Sequence, residues 1–114
     1  MHDPTEGGVA TGLWELADAA SVGLVVDQEA IPYLPAAQRL AEEYGLDLLG
    51  LIASGALLIG VPPALAEPVS AALDEAGIVC RQVARVVERT EGVRTRNGQP
   101  LPRFDQDEIA KLFA

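Results

Sequence analysis

Residues 1–26 read MHDPTEGGVATGLWELADAASVGLVV, and they indicate the fold because they contain a loop, a helix and a strand in succession. Apolar residues recur at helical spacing after the paired glycines, which predicts an amphipathic helix that ends near Ser21. Residues 22–26 are apolar and rich in valine, so they predict a strand. A helix followed directly by a strand is typical of an α/β domain in which helices cover a sheet.

The rest of the chain continues this alternation. Pro35 suits the first position of a helix and Gly45 suits a helix end, so we predict a second helix between them and a short helical turn over residues 46–52. Residues 56–61 are continuously apolar and are followed by two prolines, which predicts a central strand buried on both faces. Further predictions are a helix over 64–76, a strand over 78–87, a hairpin over 93–101 with a type I′ turn at Asn97-Gly98, and a closing helix over 105–113 capped by Asp105.

Composition and length fit one soluble domain with an aliphatic core. Of 114 residues, 49% are hydrophobic but only 4% are aromatic. Cys80 is the single cysteine and no signal peptide opens the sequence, so we expect a cytoplasmic protein in which this thiol is buried and inert. The longest apolar stretch, residues 48–61, is shorter than the roughly 20 residues that span a bilayer, so we expect no membrane segment.

Charge is distributed unevenly along the chain. The net charge is −9, and residues 1–80 contain 12 acidic side chains and one basic side chain, whereas residues 81–114 contain 5 acidic and 7 basic ones. An acidic body repels nucleic-acid phosphates, so we expect no nucleic-acid binding. The arginines of the last third are expected to form a solvated or ion-paired face.

The loop at residues 3–8 is the first candidate site. Gly7 and Gly8 lack β-carbons, so their amides can approach a phosphate closely at the start of a helix, where the helix dipole favours an anion. Thr5 offers a hydroxyl, and Asp3 is a candidate magnesium ligand or simply a cap. Ordinary turn chemistry explains the same residues without any ligand, and the charge of Glu6 opposes an anion. We therefore predict a pocket of backbone amides able to hold phosphoryl oxygens, and keep a plain turn as the alternative.

A second candidate lies just before the predicted central strand. Ser54 stands between Ala53 and Gly55, where its hydroxyl could meet a ligand held by the first loop, which makes it a candidate catalytic residue. The alternative is a tight turn that leads into the strand. His2 is a candidate metal ligand or proton carrier, or an exposed residue near the terminus.

These residues carry a resemblance to a known family. Residues 1–11, MHDPTEGGVAT, resemble the Asp-Pro-Thr-Arg-Gly-Gly segment that opens the C-terminal domain of the HypE hydrogenase maturation family, part of the aminoimidazole ribonucleotide (AIR) synthase superfamily. The similarity continues in order through residues 23–32, 45–51, 54–63 and 100–103. It implies an α/β fold in the broad sense, or α+β in the stricter one, in which helices cover a mixed sheet. The arrangement would be like that of the C-terminal domain of PurM and partly ferredoxin-like.

The resemblance also implies a function and partners. Residues 1–114 would be one C-terminal domain, excised from a two-domain homodimeric protein whose N-terminal domain binds most of the ATP and Mg²⁺. The enzyme would transfer a phosphoryl group from ATP to an amide-like oxygen of a small-molecule substrate, and this domain alone would bind neither ATP nor Mg²⁺ tightly. The resemblance places Asp3, Thr5, Gly7 and Gly8 beside the phosphates or the activated substrate, with Ser54 and Gly55 as further candidates.

Three stretches depart from the HypE pattern. HypE ends in Pro-Arg-Ile-Cys, whereas this chain continues from Arg103 to Phe104 and lacks that cysteine. Ser54 stands where HypE has a glutamate, and Glu6 stands where HypE has an arginine. These departures argue against carbamoyl-to-cyanide conversion and favour a related branch of the superfamily. A non-catalytic ligand-binding or interaction module that kept the fold is the alternative function, and a self-associating structural domain is a third.

Overall fold

A computed structural model describes residues 1–113 and contains three helices, three strands and four short 3-10 helices. The α-helices are α1 (Gly8–Ala20), α2 (Pro35–Tyr44) and α3 (Pro63–Glu75), and the strands are β1 (Gly23–Val26), β2 (Ala84–Val87) and β3 (Val93–Thr95). The 3-10 helices span Gln28–Ala30, Leu48–Gly50, Arg89–Glu91 and Glu108–Phe113.

The three strands form one mixed sheet in the order β2-β1-β3. Strand β1 runs antiparallel to β2, with Leu24 opposite Val86, and parallel to β3, with Leu24 opposite Val93. A mixed sheet with helices packed on it confirms the predicted fold class.

Helix α1 covers one face of this sheet and forms the main core with it. Leu13 of α1 and Val26 of β1 are among the most deeply buried side chains. The buried members of this cluster are Ala10, Leu13, Ala17, Leu24, Val26, Ile31, Leu49, Val93 and Leu101. A smaller cluster of Ala41, Leu46 and Leu51 joins α2 to the segment that follows it.

The helix boundaries follow the local signals in the sequence. Helix α1 ends at Ser21, which takes the left-handed conformation with φ of 55°, and α2 begins at Pro35 and ends at Gly45 with φ of 67°. The helical turn predicted over residues 46–52 is the 3-10 helix Leu48–Gly50. These predictions are confirmed because each depends on a terminal residue that acts locally.

The prediction of a buried central strand over residues 56–61 is wrong. In the described residues this segment forms a single β-bridge, in which the backbone of Leu58 exchanges hydrogen bonds of 2.8 and 2.7 Å with His2. Leu57 and Ile59 are 53% and 37% exposed, whereas Leu58 packs against the main core. An apolar run shows that a segment can be buried, but it does not show which neighbour will cover it.

The later elements are shorter than predicted. The strand predicted over 78–87 contains only Ala84–Val87, so Cys80 lies outside it and is half-buried. The hairpin turn has a positive φ at Gly98 alone, so it is not the type I′ turn, which needs two such residues. The closing helix is a 3-10 helix that starts at Glu108.

Candidate functional site

The loop before α1 buries its glycines and exposes its polar side chains. Asp3, Thr5 and Glu6 are exposed, whereas Gly7 and Gly8 are buried. Both glycines have positive φ, 79° and 69°, which side chains other than glycine rarely adopt. A β-carbon on Gly8 would also collide with the backbone of residues 49–51. Tight packing therefore explains Gly8 without any ligand.

The two candidate stretches predicted from the sequence meet at Thr5. Its carbonyl oxygen accepts the Gly8 amide at 3.1 Å and the Ala53 amide at 3.2 Å. Ser54 and Gly55 follow in an exposed tight turn, closed by the Ala56 amide donating to the Ala53 carbonyl at 3.1 Å. The Ala53 bond brings the backbone of the Ser54 turn to the loop, while ligand binding by either stretch stays a prediction.

Asp107 binds the amide of Gly7. Its Oδ2 accepts the Gly7 amide at 2.7 Å, and its Oδ1 accepts the amides of Ile52 at 3.1 Å and Ile109 at 2.9 Å. Asp107, not Asp105, therefore caps the closing 3-10 helix, because it accepts the free Ile109 amide in its first turn. In this structure both glycine amides are engaged within the chain, because Gly7 donates to the Asp107 carboxylate and Gly8 donates to the Thr5 carbonyl. Anion binding by the loop stays a prediction.

Asp107 and the next residue, Glu108, each anchor the closing helix by accepting a backbone amide from a distant part of the chain. The Oε1 of Glu108 accepts the Asp47 amide at 2.8 Å and the Lys111 ammonium at 2.9 Å. The Lys111 hydrogen bond, followed by the bond from the Asp47 backbone, lowers the pKa of this carboxyl below its ordinary value. Nearby, burial and then the negative charge of Asp47 raise the pKa of Tyr33 to about 12. Tyr33 therefore stays protonated at neutral pH.

Sequence reasoning missed both anchors. Asp107 and Glu108 belong to the acidic run at the start of the closing helix, and aspartate caps helices from several offsets, so the sequence signal pointed equally well to Asp105. Their partners, Gly7 and Asp47, lie far away along the chain. Only the folded structure shows which carboxylate reaches which amide.

The candidate metal ligands are dispersed. Within residues 1–113, no group of three or more His, Cys, Asp or Glu side chains lies together in a way that could hold a metal ion. His2 instead contacts Glu15, with Nε2 3.3 Å from the carboxylate. Asp3 is an exposed carboxylate, so it fits a Mg²⁺ ion only as one ligand among others supplied by a phosphate or by another domain.

Several arginines contact acidic or aromatic side chains of the same chain, in agreement with the ion-paired interpretation. Arg94 pairs with Glu91 at 2.8 Å and Arg96 with Asp27 at 3.2 Å. The Arg103 guanidinium lies 3.7 Å from the centre of the Trp14 ring. Such exposed pairs orient side chains and contribute little stability.

Two shallow surface grooves lie away from the loop. One, of about 590 Å³, is lined by Tyr33, Glu42 and Asp47 among others, and the other, of about 500 Å³, lies beside Trp14 and Arg103. Neither is lined by residues 3–8 or by Ser54. None of the helices in the described part of the chain has the length and apolar character needed to cross a membrane.

Comparison with known proteins gives a consistent result. The family described as "AIR synthase related protein, C-terminal domain" matches residues 1–96. The carbamoyl dehydratase HypE of Cupriavidus necator is 37% identical over an alignment that covers 91% of this chain and 34% of the relative. The crystal structure of E. coli HypE has a TM-score of 0.80 at 33% identity, over 96% of this chain and 36% of that one.

A HypE structure determined in complex with ATP is also similar, with a TM-score of 0.76 at 28% identity over 92% of this chain and 35% of that one. These likenesses confirm the fold resemblance found in the sequence. The chain spans about a third of the length of the proteins it matches. Asp107 and Glu108 lie beyond the residues that the family matches.

Proposed function

Because this chain belongs to the AIR synthase related protein C-terminal domain family, we propose that it works as the C-terminal domain of an ATP-dependent phosphoryl-transfer enzyme of the HypE kind. In this proposal residues 1–114 form one domain that closes over the nucleotide and a small-molecule substrate. ATP would supply the phosphoryl group that activates an amide-like oxygen. The relatives named carbamoyl dehydratase and the similar structure with ATP support this assignment.

The observation that carries the proposal is the pair of hydrogen bonds that the Thr5 carbonyl accepts from the amides of Gly8 and Ala53. It joins the backbone of the loop to that of the Ser54 turn, so one ligand can meet both stretches. The groups proposed to border the phosphates are Asp3, Thr5, Gly7 and Gly8, with Gly55 allowing close approach. Ser54 is the candidate catalytic residue, because its exposed hydroxyl would touch the activated substrate.

The rest of the enzyme lies outside this domain in our proposal. The matched relatives are about three times as long as this chain, so an N-terminal domain is proposed to supply most ligands of ATP and Mg²⁺. Asp3 would add one oxygen ligand to a Mg²⁺ ion held mainly by phosphate. We also propose a homodimer. The cytoplasmic location stays a prediction from the sequence.

Titration of the 114-residue chain with ATP and Mg²⁺, followed by NMR, tests the binding part. We expect weak binding, with a dissociation constant of about 1 mM or more, and amide shift changes at Asp3, Thr5 and Ser54. Thr5→Val should weaken binding, whereas the matched control Thr90→Val, on an exposed 3-10 turn, should not. Shift changes confined to residues far from the loop would refute the proposed site.

The catalytic part needs the longer protein. The chain joined to the sequence encoded upstream of it should hydrolyse ATP in the presence of a carbamoylated or related amide substrate, and Ser54→Ala should lower the rate. No ATP binding and no hydrolysis with any amide substrate would contradict the enzyme assignment.

A non-catalytic binding module is the second candidate function. The observation that favours it is Asp107, which occupies the Gly7 amide that a phosphate would need. Ser54, in place of the HypE glutamate, also removes a candidate proton acceptor. This candidate predicts ligand binding by the longer protein without ATP turnover.

A further inference from the structure

One carboxylate links three separate parts of the backbone around the proposed phosphate site. The two oxygens of Asp107 accept amides from Gly7 before α1, from Ile52 before the Ser54 turn, and from Ile109 in the closing 3-10 helix. The Gly7 contact is the shortest of the three, at 2.7 Å. The closing segment, residues 104–113, is therefore attached to both stretches of the proposed site.

The position of this carboxylate is the one that an external anion would take. Gly7 is the N-cap of α1, and the start of a helix attracts negative charge through its free amides and its dipole. A phosphate oxygen and the Asp107 oxygen cannot both accept the Gly7 amide in good geometry. The aspartate charge would also repel a phosphate that approached beside it.

The closing segment is held by hydrogen bonds and by apolar packing. Glu108 accepts the Asp47 amide, Ile109 packs against the smaller apolar cluster, and Phe104 lies against Gly50. Beyond these contacts, Leu112 and Phe113 are 38% and 83% exposed. Hydrogen bonds to Asp107 and Glu108 and apolar packing by Ile109 and Phe104 therefore keep Asp107 on the glycine loop.

We infer that Asp107 is an internal competitor for the anion site, so that a phosphoryl group binds the loop only when the closing segment releases Gly7. This inference rests on the proposed function, because it assumes that the loop binds phosphate. The closing segment then sets the affinity of the site, and its release is coupled to loss of the Ile52 and Ile109 contacts.

Variants of Asp107 test the competition directly, with inorganic phosphate and ATP as the probes. Asp107→Asn removes the charge at nearly constant size and should tighten phosphate binding roughly tenfold, as expected when a full charge leaves such a site. The control is Asp105→Asn, which removes the same charge from an exposed position two residues earlier and should leave affinity unchanged. Amide exchange at Gly7 should accelerate in the Asp107 variant alone.

The wild-type chain provides a second measurement that does not depend on the folding of a variant. Saturating phosphate should displace Asp107, so the amides of Ile52 and Ile109 should exchange faster with solvent while the Gly7 amide stays protected. Phosphate that binds without changing these amides would overturn the inference and leave the proposed function intact. Phosphate that binds neither the wild type nor Asp107→Asn would overturn both.

Discussion

Gly8 is the residue at which backbone conformation and packing act together. Its φ of 69° disfavours any side chain, and a β-carbon there would also meet the backbone of Leu49 and Leu51. We expect Gly8→Ala to lower the free energy of unfolding by about 2–4 kcal/mol, because strain and a steric clash add. Urea denaturation followed by circular dichroism measures the loss.

Gly45 supplies the matched control. It has nearly the same φ, 67°, but a β-carbon there would have no atom within 4 Å. Gly45→Ala should therefore cost only the conformational strain, about 1 kcal/mol. Equal losses at the two glycines would show that the close approach of residues 49–51 is unimportant.

Glu108 predicts a particular dependence of stability on pH. Because its pKa is lower in the folded state than in the unfolded state, its stabilising effect is complete above the unfolded pKa. The effect is lost as the pH falls through the lowered folded pKa. Glu108→Gln should thus reduce the urea midpoint at pH 7, and this difference should shrink progressively as the pH is lowered below 4.5.

The control for Glu108 is Glu91→Gln, which removes a carboxylate from the exposed pair with Arg94. Its urea midpoint should differ little from that of the wild type across the same pH range, since exposed pairs contribute little. A loss of stability in Glu108→Gln that does not shrink as the pH falls would contradict the role given to the carboxylate charge.

The elements confirmed by the structure are those defined by local chemistry. Helices α1 and α2 and strand β1 follow from periodicity and from terminal residues such as Pro35 and Gly45, which act within one turn. The segment 56–61 could not be assigned correctly, because its burial depends on which part of the chain covers it. The same limit applies to the site, whose stretches were predicted but whose Asp107 contact joins residues 100 positions apart.

Helix α3 offers a test of helix chemistry with little interference from packing. None of its residues is buried, and Pro68 lies in its interior, where proline removes one backbone hydrogen bond. Pro68→Ala should strengthen the helix and slow amide exchange in residues 67–75. Pro63→Ala, at the first turn where proline is favourable, should not slow exchange. Similar protection in both variants would mean that Pro68 costs the helix nothing.

At the scale of the whole molecule, the chain exposes more surface than its size requires. Its accessible surface is 7655 Å² and its mass is 12.0 kDa, whereas a compact monomer of that mass exposes about 6,000 Å². The difference, roughly 1,600 Å², exceeds the share that one partner buries in a standard interface. Apolar side chains on several elements contribute to it, among them Leu57, Ile59, Val79 and Val86.

The proposed homodimer would cover part of this surface. Strand β2 lies at the edge of the sheet and Val86 on it is 58% exposed, so two copies can pair along this edge. Sedimentation should show mass rising with concentration, and Val86→Lys should abolish the rise. Leu34→Lys, at a side chain that is 75% exposed on another element, is the control. If the chain stays monomeric at every concentration, the homodimer proposal fails and a different partner would have to cover this surface.

The bridge between His2 and Leu58 has a practical consequence for handling the protein. A purification tag fused ahead of Met1 would leave the chain close to Leu58, because the antiparallel bridge holds His2 there. A tag fused after the closing 3-10 helix would instead extend the segment that carries Asp107, where it can disturb the contact with Gly7. Affinities for phosphate measured with the two fusions should therefore disagree, and a cleavable tag at the amino end is the sounder choice.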